Sequence, residues 1–318
     1  MVGALVLMGC AGASSQPSAS PNPDAQDAAS DEPPPDERDT VPSGSEPSAD
    51  DPGFSPDDLG FVTSAEAVHV PDGDSFEVTI DGAEERVRVI GINTPEGDEC
   101  LGDRAGTRLR DAILGQEITL ATLDPIGSGQ ARDEFGRILA FVFLEGDLLN
   151  HRLVAEGLAV ARAQTAHPAA SALEEAEAVA RQEGLGIWAS DACGPAVESN
   201  VRIADLNADA PGPDEENPNG EWVELRNEGP EPADLTDWMI RDESTRHRYQ
   251  FPSGFVLEPD TTVKLRTGCG TDSPTELFWC ERGTSVWNNG GDTALLLDPN
   301  GNIVDTLAYE TVQHRSAP

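Results

Sequence analysis

Alternating polar and apolar positions predict a β-hairpin near the start of the patterned part of the chain. Ser75–Ile80 alternates as a half-buried strand does. Asp81-Gly82 is a dipeptide that closes hairpins, and residues 86–90 return as the second strand. Residues 93–96 then leave the sheet. Pairing of the two strands would place these residues near the acidic turn that precedes Ser75.

Helices and further strands follow the hairpin. Apolar residues share one helical face over residues 103–114, and Gly115 suits the C-terminal cap. A short helix is predicted for residues 148–157, and a long Ala/Glu-rich helix runs from Pro168 to Gly184. Strands are predicted at residues 117–120, 138–143 and 158–160. With the hairpin, they make five strands with helices between them.

The composition changes at Cys193-Gly194-Pro195. Beyond this point strands recur at short intervals, separated by turn residues, and no segment has a convincing helical period. The predicted strands are residues 201–203, 222–225, 238–240 and 262–265, and a hairpin of residues 293–297 and 303–307 around Asn300-Gly301. This pattern predicts a β-sandwich.

The N-terminal part is distinguished by its acidic residues and prolines, and the charge of the chain bears on which partners it can bind. Residues 11–58 contain 10 prolines and no apolar period, so we expect an extended, disordered acidic linker. The formal net charge of the 318-residue chain is −39, and acids outnumber bases in every region. Such a surface indicates either plain solubility or tolerance of salt. Lys and Arg provide non-specific affinity for nucleic acids, so any such binding must be local.

The N-terminus and the cysteines indicate an exported protein. Residues 5–10, LVLMGC, resemble a bacterial lipobox in which Cys10 would carry the lipid, although no basic residue precedes it and a frayed terminus is the alternative. The other four cysteines, an even number, favour disulfides. Three pairings are possible, and pairing within domains is the simplest. This predicts Cys100–Cys193 and Cys269–Cys280.

Three motifs in order resemble those of the staphylococcal nuclease (thermonuclease) family. They are DGDS at residues 72–75, VRVIGINTPE at residues 87–96 and DEFGR at residues 133–137. The similarity extends from about Val62 to Asp191. It implies a five-stranded oligonucleotide-binding (OB) barrel, which we assign to residues 59–195.

The resemblance also implies a chemistry and assigns residues to it. Arg88 and Arg137 would bind the phosphate, and Glu96 would orient or deprotonate water. Asp74, Asn93 and Thr94 would provide oxygens to Ca²⁺. Taken singly, each residue has a plain structural reading as a turn cap or as a solvent-facing arginine. Taken together with the family spacing, they indicate hydrolysis of DNA and RNA with little sequence specificity.

Two departures from the family pattern affect the site. Asn93 stands where the family has a second metal-binding acid, so the site loses one negative charge and should bind Ca²⁺ more weakly. Residues 161–165 lack the tyrosines that flank the nucleotide in the best-known members, which puts base stacking in doubt.

The C-terminal half resembles a lamin-tail domain, which has an immunoglobulin-like fold. The segments that carry this resemblance are EWVELRN, LTDWMIRD, TGCG and SVWNNGGDTALLLDPNGNIVDTLAY. We assign residues 196–318 to this domain, with an unknown ligand and with none of the nuclease groups. Residues 1–10 are assigned to the lipoprotein signal.

The whole chain is thus predicted to be a mainly β, monomeric, secreted or lipid-anchored Ca²⁺-dependent nuclease at the bacterial cell surface. The rival interpretation is a non-catalytic surface module in which a weakened nuclease barrel only binds.

Overall fold

The computed structural model describes residues 52–97, 99–162, 167–244, 246–280 and 285–310. Cys10 and most of the predicted linker lie outside these residues. The α-helices are α1 Pro56–Leu59, α2 Gly102–Ile113, α3 Leu149–Ala155 and α4 Ala170–Glu183. The first eight strands are β1 Phe61–His69, β2 Ser75–Ile80, β3 Ala83–Val89, β4 Ile92–Asn93, β5 Glu117–Thr122, β6 Ile138–Leu144, β7 Asp147–Leu148 and β8 Val160–Ala161.

Five of these strands close into a barrel. Their order is β3-β2-β1-β5-β6, and β3 pairs with β6 in parallel to complete the ring, with Val87 opposite Ile138. Closure gives each of these five strands a partner on both sides. The predicted OB-type barrel is therefore confirmed, but its strand list needs a correction. The fifth barrel strand is β1, whereas the predicted strand at residues 158–160 is only the two-residue β8, which pairs with β4.

Apolar side chains fill the barrel and the groove under its helices. Alternate residues of the hairpin, such as Val78 and Val87, point inward and are fully buried beside Ile138 of β6. Leu109 of α2 and Leu173 of α4 cover the same core. Each such aliphatic side chain stabilises the fold by about 1.5–3 kcal/mol. The helices predicted from the 3.6-residue period are present, with α2 ending one residue before the predicted Leu114.

The described residues of 201–310 form two four-stranded sheets around a second core, and β11 pairs with β14 in a separate two-stranded sheet. The strands are β9 Val201–Asn207, β10 Trp222–Asn227, β11 Ala233–Asp234, β12 Met239–Arg241, β13 Arg248–Gln250, β14 Val256–Leu257, β15 Thr262–Arg266, β16 Glu276–Phe278, β17 Gly291–Leu297 and β18 Ile303–Glu310. One sheet has the order β16-β15-β10-β9 and the other β13-β12-β17-β18. Leu225 and Leu265 of the first sheet share a core with Ile240 and Leu296 of the second, as predicted for a β-sandwich.

Both predicted disulfides are present. Cys100 is bonded to Cys193 and Cys269 to Cys280. Cys193 lies where the barrel half meets the sandwich half, and its backbone N–H donates to Asn302 Oδ1 of the β17–β18 turn at 2.8 Å. Disulfides of this kind are typical of exported proteins. Among the helices of the described residues, none is long and apolar enough to cross a membrane.

Candidate functional site

The hairpin register builds the site at one end of the barrel. Ser75 of β2 lies opposite Arg88 of β3, and the Val89 N–H donates to the Asp74 carbonyl at 2.8 Å. The chain then turns through β4, so Asn93 and Thr94 come back to the same end. The DGDS turn and the NTPE loop are thereby adjacent, as the sequence predicted.

The two acids of the DGDS turn have different surroundings. Asp72 Oδ1 accepts the N–H groups of Asp74 at 3.0 Å and Ser75 at 2.5 Å, so this carboxylate shapes the turn. Asp74 is buried, and its Oδ2 accepts the Thr94 N–H at 2.9 Å. Gly73 permits this approach, because a Cβ atom there would lie 2.8 Å from the Thr94 side chain. Asp74 is thus the carboxylate held toward the NTPE loop.

Arg88 contacts both Asp74 and Asn93 and is only 8% exposed. Its Nη2 donates to Asn93 Oδ1 at 2.9 Å and is 3.3 Å from Asp74 Oδ2, while Nη1 donates to the Val89 carbonyl at 2.6 Å. Burial lowers the pKa of Arg88, and the Asp74 charge opposes that shift. A charge this far from water interacts strongly with whatever lies beside it.

Arg137 reaches the site through a hydroxyl group. Its Nε donates to Asp133 Oδ2 at 2.7 Å, which fixes the side chain within the DEFGR loop. Its Nη1 donates to Ser75 Oγ at 3.2 Å, and Ser75 Oγ in turn donates to Asp74 Oδ1 at 3.1 Å. Arg137 of the DEFGR loop therefore joins the cluster that contains Asp74 and Arg88.

Glu96 stands on the exposed rim of the site. Its backbone N–H donates to Glu99 Oε2 at 2.9 Å, and a side chain at Gly102 would overlap the Glu96 carbonyl, so glycine is needed where α2 begins. The Glu96 charge reaches Asp72. Burial raises the pKa of Asp72, and the charges of Asp74 and Glu96 raise it further.

The donor set fits a hard cation, although it is not a ready-made cluster. Among the described residues, no group of three His, Cys, Asp or Glu side chains is arranged to hold a metal ion. Burial is the largest cause of the raised Asp72 pKa, and the negative charges of Asp74 and Glu96 add to it; a bound cation would relieve this repulsion between the acids. The carboxylate of Asp74 and the oxygens of Asn93 and Thr94 are the hard ligands that calcium takes.

The structure adds a contact from the sandwich half that the sequence interpretation missed. Asn93 Nδ2 donates to the backbone carbonyl of Glu243 at 2.6 Å. Nearby, Arg162 Nε lies 3.5 Å from Glu243 Oε2, and Arg248 Nη2 lies 2.7 Å from Glu99 Oε1. The sequence predicts two separate domains, whereas in the structure they meet at the rim of the site. In the sequence, this contact is indicated only by Asn93, which stands where the family has a metal-binding acid.

Glu243 is a fully buried carboxylate with a defined setting. Its Oε1 accepts the Thr293 hydroxyl at 2.8 Å, and its own N–H donates to Asp292 Oδ1 at 3.3 Å. Burial raises the pKa of Glu243 to about 8, and the Asp292 charge adds to the shift. Residues 163–166, which include most of the tyrosine-free segment, lie outside the described residues.

Comparisons with known proteins agree with both halves. Residues 86–190 match the family model described as Staphylococcal nuclease homologue, and residues 195–311 match the Lamin Tail Domain model. A thermonuclease of Staphylococcus intermedius is 32% identical over 126 residues, covering 37% of this chain and 72% of the relative. A micrococcal nuclease of Shigella flexneri is 30% identical over 132 residues, or 39% and 72%. Endonuclease YncB of Bacillus subtilis (strain 168) is 30% identical over 127 residues, or 37% and 57%.

Proposed function

The chain belongs to the staphylococcal nuclease family, and from that premise we propose that it is a Ca²⁺-dependent nuclease that hydrolyses DNA and RNA with little sequence specificity. The observation that carries the proposal is the cluster at the barrel end, where Asp74 and Asn93 both contact the buried Arg88. A solvated strand arginine or an isolated turn cap would not produce this convergence.

The two arginines would bind the phosphate. Phosphodiester hydrolysis builds negative charge on the phosphoryl oxygens, and preorganised donors that face this charge lower the barrier. Arg88 is held by Asp74 and Asn93, and Arg137 by Asp133, so little reorganisation is needed when the substrate arrives. Their planar guanidinium groups suit paired hydrogen bonds to phosphate oxygens.

Glu96 would orient the attacking water or accept its proton. Its place on the exposed rim leaves it open to solvent, from which the water comes.

Asp74, Asn93 and Thr94 are the residues that would hold Ca²⁺. When bound, the cation would supply Lewis-acid stabilisation of phosphate charge. The amide of Asn93 in place of a carboxylate places the expected affinity in the weak range of about 10⁻⁴–10⁻³ M, which is typical of extracellular calcium modules.

The two disulfides support a location outside the cytoplasm. We propose a secreted or cell-surface monomer, anchored to the bacterial membrane through a lipid on Cys10, which meets DNA or RNA outside the cell. The proposed domain bounds are residues 59–195 for the nuclease and 196–318 for the lamin-tail domain, after a linker of residues 11–58.

The test is digestion of plasmid DNA and RNA by the full chain, with calcium and with a chelator. Arg88→Lys, Arg137→Lys and Glu96→Gln should each reduce turnover by about 10²-fold or more, because they remove the planar donor pair or the base. Arg132→Lys is the matched control for Arg137→Lys. Arg132 lies in the same loop as Arg137 but pairs with Glu85 at 2.8 Å. This variant should cut as the wild type does.

Circular dichroism would confirm that each variant is folded. A folded wild type that cuts neither substrate in excess calcium contradicts the proposal. If that protein still binds nucleic acid, the binding-module interpretation takes its place. Full activity of Arg137→Lys and Glu96→Gln would equally reject the assigned roles.

A further inference from the structure

The Asn93 side chain is held on both sides, and each side requires a different kind of group. Oδ1 accepts a hydrogen bond from Arg88 Nη2 at 2.9 Å, and Nδ2 donates to the Glu243 carbonyl at 2.6 Å. Only an amide offers an acceptor and a donor in this arrangement. An aspartate here would keep the contact with Arg88 but would place a carboxylate oxygen against a carbonyl oxygen.

The Glu243 carbonyl occupies a fixed position. The Glu243 side chain is completely buried and accepts the Thr293 hydroxyl, and its N–H donates to Asp292. These partners belong to the sandwich, so the carbonyl is placed by that domain and presented to the barrel. Glu243 Oε2 makes no hydrogen bond among the described residues and lies 3.5 Å from Arg162 Nε, so the bonds with Thr293 and Asp292 are the ones that position this residue.

Two further contacts hold the sandwich against the barrel half. Arg248 of β13 forms an ion pair at 2.7 Å with Glu99, which lies in the loop that follows Glu96. Arg181 Nη1 of α4 donates to Thr306 Oγ1 of β18 at 2.8 Å. The carbonyl of Glu243 therefore meets Asn93 within a larger contact between the two halves.

We propose that the lamin-tail domain is part of the nuclease site and that Glu243 is a positioning residue. Its backbone carbonyl holds the Asn93 amide so that Oδ1 faces Arg88 and the cation-binding oxygens. The contact explains why this chain has asparagine where the family has an acid: the position gives up one ligand charge and gains a bond between the domains. The role given to this contact rests on the proposed function, but the contact itself can be measured whether or not the protein is a nuclease.

The experiment uses the full chain and three substitutions. Asn93→Asp removes the donor on the barrel side. Thr293→Val removes the hydroxyl group that donates to Glu243 Oε1 within the sandwich, and Thr293 is not one of the residues assigned to the nuclease site. Thr306→Val is the matched control, because it is the same substitution on the neighbouring strand and removes a bond between the halves that involves Arg181 rather than Asn93.

The readouts are amide hydrogen exchange of residues 240–248, calorimetric titration with CaCl₂ and cleavage kinetics. We expect Asn93→Asp to raise exchange at residues 242–244 about tenfold, as the loss of one such hydrogen bond would. Thr293→Val should weaken calcium binding about threefold or more and lower kcat with little change in KM, since it disturbs a ligand and not the phosphate arginines. Thr306→Val should change none of the three.

The inference is wrong if Asn93→Asp leaves exchange at residues 242–244 unchanged, or if Thr293→Val binds calcium as the wild type does. Equal effects of Thr293→Val and Thr306→Val would also overturn it, because the coupling would then not pass through Glu243. A wild type that fails to cut DNA rejects the proposed function alone. The exchange measurement still decides whether Glu243 holds Asn93.

Discussion

Glu221 is a fully buried carboxylate in the sandwich, remote in sequence from the nuclease motifs. Its Oε2 accepts the Val286 N–H at 3.1 Å, and Oε1 has no hydrogen-bond partner among the described residues. Burial raises the pKa of Glu221 to about 7 from an ordinary value of 4.5, against the opposing effect of backbone N–H donors. The folded protein therefore binds this proton more tightly than the unfolded chain.

The raised pKa predicts a pH-dependent stability. The proton on the buried Glu221 stabilises the folded protein, and this contribution is complete below pH 4.5. It is lost as the pH rises through about 7, where the folded protein releases the proton. Glu221→Gln has no such proton. The difference in the free energy of unfolding between variant and wild type should shift in favour of the variant by about 2–3 kcal/mol from pH 5 to pH 8. Urea unfolding at both pH values measures it, and a constant difference would contradict the assignment.

Motif spacing was sufficient to predict which side chains of the barrel end come together. The hairpin register places Asp74 beside Arg88, and the NTPE loop follows directly. The partner of Asn93 could not be predicted, because Glu243 lies 150 residues further along the chain and contributes a backbone carbonyl. Every residue has a backbone carbonyl group, so the sequence does not indicate which of them accepts this hydrogen bond.

At the scale of elements, the β2–β3 hairpin determines the site geometry through its turn. Asp81 and Gly82 both have positive φ, 50° and 82°, as a two-residue hairpin turn of type I′ requires. The turn sets the pairing in which Ser75 faces Arg88. A shift of one residue would move each of these side chains to the other face of the sheet.

Gly82→Ala should therefore destabilise the barrel by about 1 kcal/mol, because a Cβ atom is unfavourable at positive φ. The space around Gly82 is open, so the cost is conformational and not steric. Gly82→Asn is the matched control and should cost less, since asparagine tolerates this conformation. Thermal unfolding compares the three proteins. An alanine variant as stable as the wild type would show that the turn does not constrain the hairpin.

Elements with a clear period were predicted, and weakly patterned ones were not. The strands β2, β5 and β6 carry large apolar residues at alternate positions, and α2 and α4 have apolar faces. Strand β1 buries only the small Ala65 and Ala67 along most of its length, so its inward face gives little hydrophobic signal. The closure of the barrel through β1 was therefore visible only in three dimensions.

At the scale of the whole molecule, a small basic cluster lies within a very acidic protein. The charges of Arg162 and Arg137 reach Arg88 and lower its pKa, after the larger effect of burial. The chain as a whole has a formal net charge of −39. A polyanionic substrate would thus be repelled at long range and attracted only at the site.

Long-range repulsion combined with local attraction predicts an unusual dependence of the cleavage rate on salt concentration. From about 10 mM to 100 mM ionic strength the Debye length shortens from about 30 Å to 10 Å, which screens the distant acids more than the arginines in contact with phosphate. The second-order rate of DNA cleavage should rise over this range, whereas a basic nuclease would slow down. Initial rates at low substrate and constant excess calcium measure it, with a dinucleotide substrate as the weakly charged control. A steady decline would show that long-range repulsion is unimportant.

The position of Cys193 has a further consequence, which concerns effective concentration. Its disulfide to Cys100 lies wholly on the nuclease side of the connection, and among the described residues the sandwich is joined to the barrel half covalently through the residues that follow Cys193. This short connection holds the two halves at an effective concentration on the order of millimolar, which favours the set of contacts that includes the bond between Asn93 and the Glu243 carbonyl. Cleavage of the chain between Pro195 and Val201 would leave both disulfides intact. It would nevertheless reduce that concentration to the micromolar value of the protein in solution, and the site would then lose its second domain by dilution alone.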